Sequence, residues 1–302
     1  MQELYILPFD HRGSFTKMFN LPENNLTEEQ IQKLSDYKHV VFEAFRLALN
    51  MGVPKDKAAV LVDEQFGTKI HEEAEKMGIA HILTTEKSGQ DEFDFEYGEK
   101  FRDHIEKLDP DYVKVLVRYN TAGDAEMNKR QSDRLKIMSD YCREKGYKFL
   151  FELLAVATPE QLAEAGGDKE KYEQSIRYQV MINTIKELQS RGVEPDIWKI
   201  EGLNDLNQMK AVIETCRRDG RDQVGIVVLG RGESEEKVRT WLSVAAKIHG
   251  VVGFAVGRTV FKQPLIDFHE NKIDRKTATE KIAQNFKGFT DLFISARKSA
   301  EG

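Results

Sequence analysis

A lysine inside a short apolar run is a chemical signal, because burying an ammonium is costly unless it is paired or neutralised. Lys199 stands in such a run, "DIWKIEG" (196–202), and Lys114 in another, "YVKVLVRYN" (112–120). Successive side chains of a strand face opposite ways. If Val113, Val115 and Val117 pack outward, Lys114 and Arg118 point to the other side. In "KFLFELLAV" (148–156) the same rule sends Phe149, Phe151 and Leu153 outward and Glu152 inward. In "DIWKIEG" it sends Trp198 and Ile200 outward, Lys199 and Glu201 inward; in "AAVLVDE" (58–64) Val60 and Val62 go out and Asp63 goes in. Asp10, ending the run "ELYILPFD" (3–10), and Glu86, ending "HILTTEK" (81–87), fit the same scheme. Two lysines, an arginine and several carboxylates from six runs would thus share one space. Desolvation and neighbouring cations lower a lysine pKa and carboxylates raise it, so such a group can hold a reactive amine and relay protons. A free amine attacks a carbonyl to give a Schiff base, whose protonated imine is an electron sink that permits carbon–carbon cleavage beside a ketone.

Other chemistries have less support. Only His11 of the seven histidines lies near the C-terminal end of an apolar run. His39, His71, His104, His249 and His269 are expected on helices, and His81 begins its run. No H-x-H or H-E-x-x-H spacing occurs, so no metal site is expected. No G-x-S-x-G nucleophile turn occurs either. No cofactor is expected.

The elements that must position these residues alternate along the chain. Two further runs, "VGIVVLGRG" (224–232) and "VVGFAVGRT" (251–259), bring the six already quoted to eight, separated by amphipathic helical segments. One helix is expected over 27–52, with Thr27 as N-cap and Gly52 as stop; another over 234–250, opened by Ser234; a last one near 274–298. Eight strand–helix units predict an α/β fold, a (β/α)₈ TIM barrel with a C-terminal helix, as one domain over 1–302. A doubly wound open sheet would need a glycine-rich phosphate turn after its first strand, and "FDHRG" is not G-x-G-x-x-G. The stretch 157–174 reads as a lid or an irregular helix start. Active sites form at the C-terminal ends of barrel strands, where the inward charges gather.

Two matched turns, "LGRGES" (229–234) after run seven and "VGRT" (256–259) after run eight, each open a helix. Glycines let backbone approach an anion, and helix N-termini offer free N–H groups. Gly230, Arg231 and Gly232 with Gly257 and Arg258 are therefore the expected phosphate-binding residues; ordinary turns with arginines paired to Glu233 are the bland alternative.

The whole chain limits the partners. It has 302 residues, 40% hydrophobic and 32% charged, with formal net charge -6. Nothing favours nucleic acid or an anionic membrane. No apolar run reaches membrane-span length and no secretory leader is evident at the N-terminus, so a cytoplasmic location is expected. Cys142 and Cys216 fit a reducing compartment. The expected partner is a small phosphorylated sugar or sugar acid; a homo-oligomer stays open.

The ordered set "FDHRG", "VDEQFG", "TTEKSG", "VKVLVRY", "FELL", "WKIEG" and "VGRT" resembles the class I (Schiff-base) aldolases of the tagatose-bisphosphate type over roughly residues 3–265. It is more similar still to the aldolase-like domain fused to the sugar kinase of inositol catabolism. The resemblance implies a barrel, the imine on Lys199, a second lysine at Lys114, the strand-five glutamate at Glu152 and the phosphate turn at Gly257 and Arg258. It also implies cleavage of 2-deoxy-5-keto-6-phosphogluconate to dihydroxyacetone phosphate and malonate semialdehyde. In that reading Asp10, Asp63 or Glu86 assists proton transfer, and Arg12 and Arg118 take the acid end. The sequence departs from the tagatose enzymes at His11, where glutamine is usual, and in the larger "LGRGES" turn. Tagatose or fructose bisphosphate is the alternative substrate. A non-catalytic sugar-phosphate-binding barrel and an isomerase or epimerase are the other readings; neither needs Lys199.

Overall fold

A computed structural model describes residues 2–301. Eight parallel strands close into a barrel in chain order, β1 (Leu4–Pro8), β2 (Ala58–Val62), β3 (Ala80–Thr84), β4 (Tyr112–Tyr119), β5 (Lys148–Ala155), β6 (Ile197–Glu201), β7 (Gly225–Leu229) and β8 (Val251–Ala255). The helices are α1 (Gly13–Lys17), α2 (Glu28–Asn50), α3 (Glu64–Lys76), α4 (Phe101–Leu108), α5 (Ala125–Lys145), α6 (Pro159–Glu164), α7 (Lys169–Ser175), α8 (Arg177–Ser190), α9 (Leu206–Arg217), α10 (Glu235–Ala245), α11 (Arg258–His269) and α12 (Arg275–Glu301). This is the TIM barrel that the alternating runs predict.

Alternation sorts the strand residues into two cores. Val113, Val115, Val117, Phe149, Phe151, Trp198 and Ile200 join the large outer core between sheet and helices. Ile6, Ala59, Leu61, Ile82, Leu150, Ile197 and Val227 fill the barrel interior at its N-terminal end. That plug is apolar, so the charged residues further along the same strands gather above it. Closure requires glycine at one place: a Cβ on Gly253 would lie 1.8 Å from the Leu4 carbonyl oxygen at the β1–β8 seam. The pairing of β7 with β8 carries a bulge between Ile226 and Val227.

The helices start where their caps say. The Thr27 side chain accepts from Gln30 N (3.2 Å) and Gln30 Oε1 accepts from Thr27 N (2.9 Å), a reciprocal box that opens α2. Gly52 follows with φ +103°. Ser234 caps α10, but that helix ends at Ala245, and residues to 250 form turns; His249 therefore lies in a turn and not on a helix. The stretch 157–174 holds the short helix α6 and most of α7, capped by Thr158 and Asp168. The helix α12 packs along α2 and against α10 and α11, and its Phe293 meets Tyr5 and Phe254. No described helix is long and apolar enough to cross a membrane.

Between β3 and α3, His71 and His81 are buried with their Nδ1 atoms 3.0 Å apart. One must donate and the other accept, so at least the accepting ring is neutral and the pair cannot survive protonation of both. Burial pushes His71 down to about 3 and lowers His81 as well. A histidine whose folded pKa is depressed contributes stability above its unfolded pKa, about 6.5, and loses it as pH falls below that. Stability measured by urea unfolding is expected to fall from pH 6.5 toward pH 4, by roughly 1 kcal/mol per pH unit per titrating histidine. His71→Phe is expected to flatten that slope; an unchanged slope would show that the pair takes no part.

Candidate functional site

The C-terminal ends of the strands surround a cavity of 470 Å³. Its floor is set by sheet register. Glu152 pairs with Leu116 of β4 on one side and with Lys199 of β6 on the other. Lys199 Nζ donates to Glu152 Oε2 at 2.8 Å, and Lys114 Nζ lies 3.1 Å from the same oxygen. Lys114 Nζ also donates to Asp10 Oδ2 (2.8 Å), Glu86 Oε1 (2.7 Å) and Thr84 Oγ1 (3.1 Å). Glu86 Oε2 in turn accepts from Leu116 N at 3.1 Å. Lys114 is 1% exposed and Lys199 4%.

The electrostatics separate the two lysines. Burial alone would lower Lys114, but Asp10, Glu86 and Glu152 raise it well above the ordinary lysine value. Burial would raise Asp10 and Glu152, yet Lys114 and Lys199 hold both carboxyls low. An ammonium has three protons to give. Lys114 spends them on Asp10, Glu86 and Thr84, so it is a fixed cation. Lys199 has a single hydrogen-bond partner and faces the cavity.

The structure brings together Lys199, Glu152, Lys114, Asp10 and Glu86, as alternation predicts. It does not bring Asp63 with them. The strand stops at Val62, and the Asp63 side chain turns away to cap α3 at Phe66 N (2.9 Å) and to pair with the fully buried Lys38 of α2. Lys38 Nζ also donates to the His11 carbonyl at 2.9 Å. Glu201 is likewise outside the cavity. As the last residue of β6 it is covered by Arg177 of α8 (3.4 Å) and by Arg231, and its Oε2 accepts from Ala155 N (3.1 Å). It ties loops together and does not line the cavity, so the expectation that it faces inward beside Lys199, available to substrate, is corrected.

Arg12 lines the cavity but is already committed, to Glu96 (2.6 Å) and to the Glu86 carbonyl (2.5 Å). Arg118 also lines it and donates only to the Gln90 carbonyl, 2.8 Å. The segment between them, 85–97, folds back on itself through a Glu86–Phe95 bridge. Arg130 and Arg134 hold its Glu92 at 2.9 and 2.6 Å, and Ser88 to Asp91 overhang the cavity.

On the opposite side the two glycine turns meet. Gly230 N donates to the Ala255 carbonyl (3.2 Å), and Arg258 Nη2 donates to the Arg231 carbonyl (2.7 Å). Arg231 has φ +53° and its guanidinium turns back to Glu201, a different partner from Glu233. Gly232, Gly257 and Arg258 line the cavity; Gly230 is packed behind it against Val256 and Val238. A Cβ on Gly257 would lie 2.1 Å from the Pro8 carbonyl, and one on Gly232 2.8 Å from the Arg258 guanidinium. Only glycine lets the turn sit this low. Ser234 caps α10, whereas no side chain caps α11, which starts at Arg258.

Sequence reasoning gave His11 no role. It is packed edge-on against Phe261 (5.9 Å), and its buried Nδ1 has no partner. Burial, with Arg258, Lys38 and Lys199 nearby, pushes it down to about 3 against the pull of Asp10, so the ring is neutral. Its position directly after Asp10 was the available signal. Thr84 was hidden because a threonine at a strand end has many uses. Among the described residues no group of His, Cys, Asp or Glu is arranged to hold a metal ion.

Comparison with solved structures supports the fold. An archaeal fructose 1,6-bisphosphate aldolase superposes with TM-score 0.56 at 14% identity, covering 95% of this chain and 94% of that one. A Corynebacterium glutamicum protein gives 0.56 at 15%, covering 94% and 85%. A Schiff-base-forming fructose-1,6-bisphosphate aldolase gives 0.54 at 11%, covering 96% and 94%. No curated protein matches the chain. A family model described as "Uncharacterized protein conserved in bacteria (DUF2090)" matches residues 1–297.

Removing the Lys114 charge would leave three buried carboxylates facing one another. Lys114→Met is expected to cost about 3–5 kcal/mol of stability near pH 7.5. Its carboxylates would then titrate above their unfolded values, so the cost is expected to shrink toward pH 5 as they take up protons. Urea midpoints of both proteins at the two pH values check this; a pH-independent difference would mean that packing, not charge, is lost.

Proposed function

The chain belongs to the DUF2090 family, and we propose that it is a class I aldolase acting on a phosphorylated ketose or keto sugar acid. The observation that carries this is the unequal treatment of the two lysines. Lys114 is saturated by three partners, while Lys199 keeps one carboxylate, Glu152, and faces the cavity. Lys199 with its proton given up attacks the substrate ketone; the carbinolamine loses water to a protonated imine. A base takes the proton from the hydroxyl two carbons from the imine carbon. The bond between that hydroxyl's carbon and the carbon next to the imine breaks, the aldehyde departs, and the electron pair moves toward the imine to give an enamine. Protonation of the enamine carbon and hydrolysis of the imine release dihydroxyacetone phosphate and restore Lys199. Glu152, touching Lys199, is the carboxylate placed to pass these protons; Lys114 keeps it ionised, with Asp10 and Glu86 holding Lys114.

Arg118 on β4 and Arg258 after β8 stand half a turn apart around the ring. They are the two cavity-lining arginines for which no carboxylate partner is found among the described residues. That favours a substrate anionic at both ends, its phosphate at the Gly232 and Gly257 turns with Arg258. The resemblance noted above singles out 2-deoxy-5-keto-6-phosphogluconate, cleaved to dihydroxyacetone phosphate and malonate semialdehyde as in inositol catabolism. Tagatose or fructose bisphosphate has the same two ends and is the second reading. It is also the class to which two of the superposed structures belong.

Incubation with dihydroxyacetone phosphate followed by borohydride is expected to mark Lys199, read by mass spectrometry. An adduct on Lys114, or activity surviving in Lys199→Ala, would falsify the assignment. Chelators are expected to leave turnover intact, since the imine supplies the electron sink.

Arg258→Ala is expected to lower affinity for phosphorylated ketone roughly 10- to 100-fold. Arg118→Ala should penalise an acid-ended aldehyde more than a neutral one in the condensation direction. Wild-type discrimination in either variant would place the anion elsewhere. Condensing dihydroxyacetone phosphate with malonate semialdehyde or with glyceraldehyde 3-phosphate separates the two substrates.

A further inference from the structure

A second cavity, of 360 Å³, opens beside the first between the loops after β4 and β5. It shares Arg118 and Asp91 with the central cavity, so the two adjoin. Its volume falls within the range of ligand sites, roughly 300–1,000 Å³. The walls are largely carbon: Ala122, Met127, Val156, Ala157 and Pro159. The loops are pinned by Asn120, whose Nδ2 donates to the Val156 carbonyl (2.7 Å) and to Gln161 Oε1 (2.6 Å) and whose Oδ1 accepts from Ala122 N (3.0 Å).

Asn128, only 3% exposed, lines this cavity and is half satisfied. Its Nδ2 donates to the Asn120 carbonyl at 2.7 Å, which fixes which way the amide lies. Its Oδ1 is buried and has no partner. An orphaned buried acceptor is uncommon and calls for a donor from outside the chain. Two more acceptors, Asp91 and Glu160, stand exposed at the rim. Arg118 is the one cation, and it opposes an ammonium ligand. An occupant that brings hydroxyl donors and C–H faces together fits this lining, which is the chemistry of an open sugar chain.

We propose that this side cavity binds the hydroxylated carbon chain of a sugar or polyol, with a chain hydroxyl donating to Asn128 Oδ1. If the aldolase reading holds, on which this assignment of the chain rests, the cavity takes the far carbons of a hydroxyaldehyde longer than three carbons, led in past Arg118. Binding itself can be tested without that reading, because it does not involve Lys199.

The probe is erythritol, with butan-1-ol as the chain of equal length that has a single hydroxyl. The protein is labelled at its eight methionine methyls, and Met127 is assigned with Met127→Leu. The Met127 methyl signal is expected to move saturably with erythritol, and butan-1-ol should need roughly tenfold more. Asn128→Leu should abolish that preference. Ala122→Phe, at an exposed position, should block both ligands without relying on a buried substitution. A Met127 signal that erythritol leaves still would overturn the proposal and leave ordered water as the partner of Asn128. So would equal affinity for the two alcohols, or tighter binding of 1,4-diaminobutane.

Discussion

One ammonium holds the upper half of this barrel together. Lys114 of β4 meets Asp10 after β1, Glu86 after β3 and Glu152 of β5, all within 3.1 Å. Three carboxylates could not be buried there without it, and a lysine with almost no exposure could not be buried without them. The cluster ties the segments just past β1 and β3 to the interiors of β4 and β5. It also decides the role of its neighbour. Glu152 shares one oxygen between the two lysines, so Lys199 has one carboxylate contact where Lys114 has three.

The superposed aldolases, at 11 and 14% identity, share the architecture. A barrel of this kind hosts many reactions, so the chemistry must be argued from the side chains. Here the argument rests on which charges are already spent. Arg12 and Arg231 point toward the cavity yet are neutralised by Glu96 and Glu201. Arg118 and Arg258 are bound only to carbonyls. Counting arginines overstates the anion sites; following their hydrogen bonds reduces four to two.

The same distinction explains what could be read from the sequence. Inside a strand, direction is dictated by a period of two, so Lys114, Arg118, Glu152 and Lys199 were legible, as were the eight units themselves. At strand ends the rule lapses. Asp63 is one residue past β2 and obeys the cap of α3; Glu201 is the last of β6 and is taken by Arg177. Their partners, Lys38 on α2 and Arg177 on α8, are distant in sequence by 25 and 24 residues. Nothing local announces such pairs. The neutral state of His11 was equally hidden, since burial and cations from other loops set it.

The folded-back segment 85–97 joins two unlike duties. Its first residue pairs, around Glu86, are welded to the charge cluster, and Glu92 is clamped by α5. Between these anchors Ser88 to Asp91 touch the cavity while Lys87 to Gly89 lie exposed. Such a stretch is a place where a lineage can try new side chains toward the cavity without disturbing the buried charges beneath it. Innovation in this barrel would then be concentrated on the roof, with the electrostatic floor inherited intact.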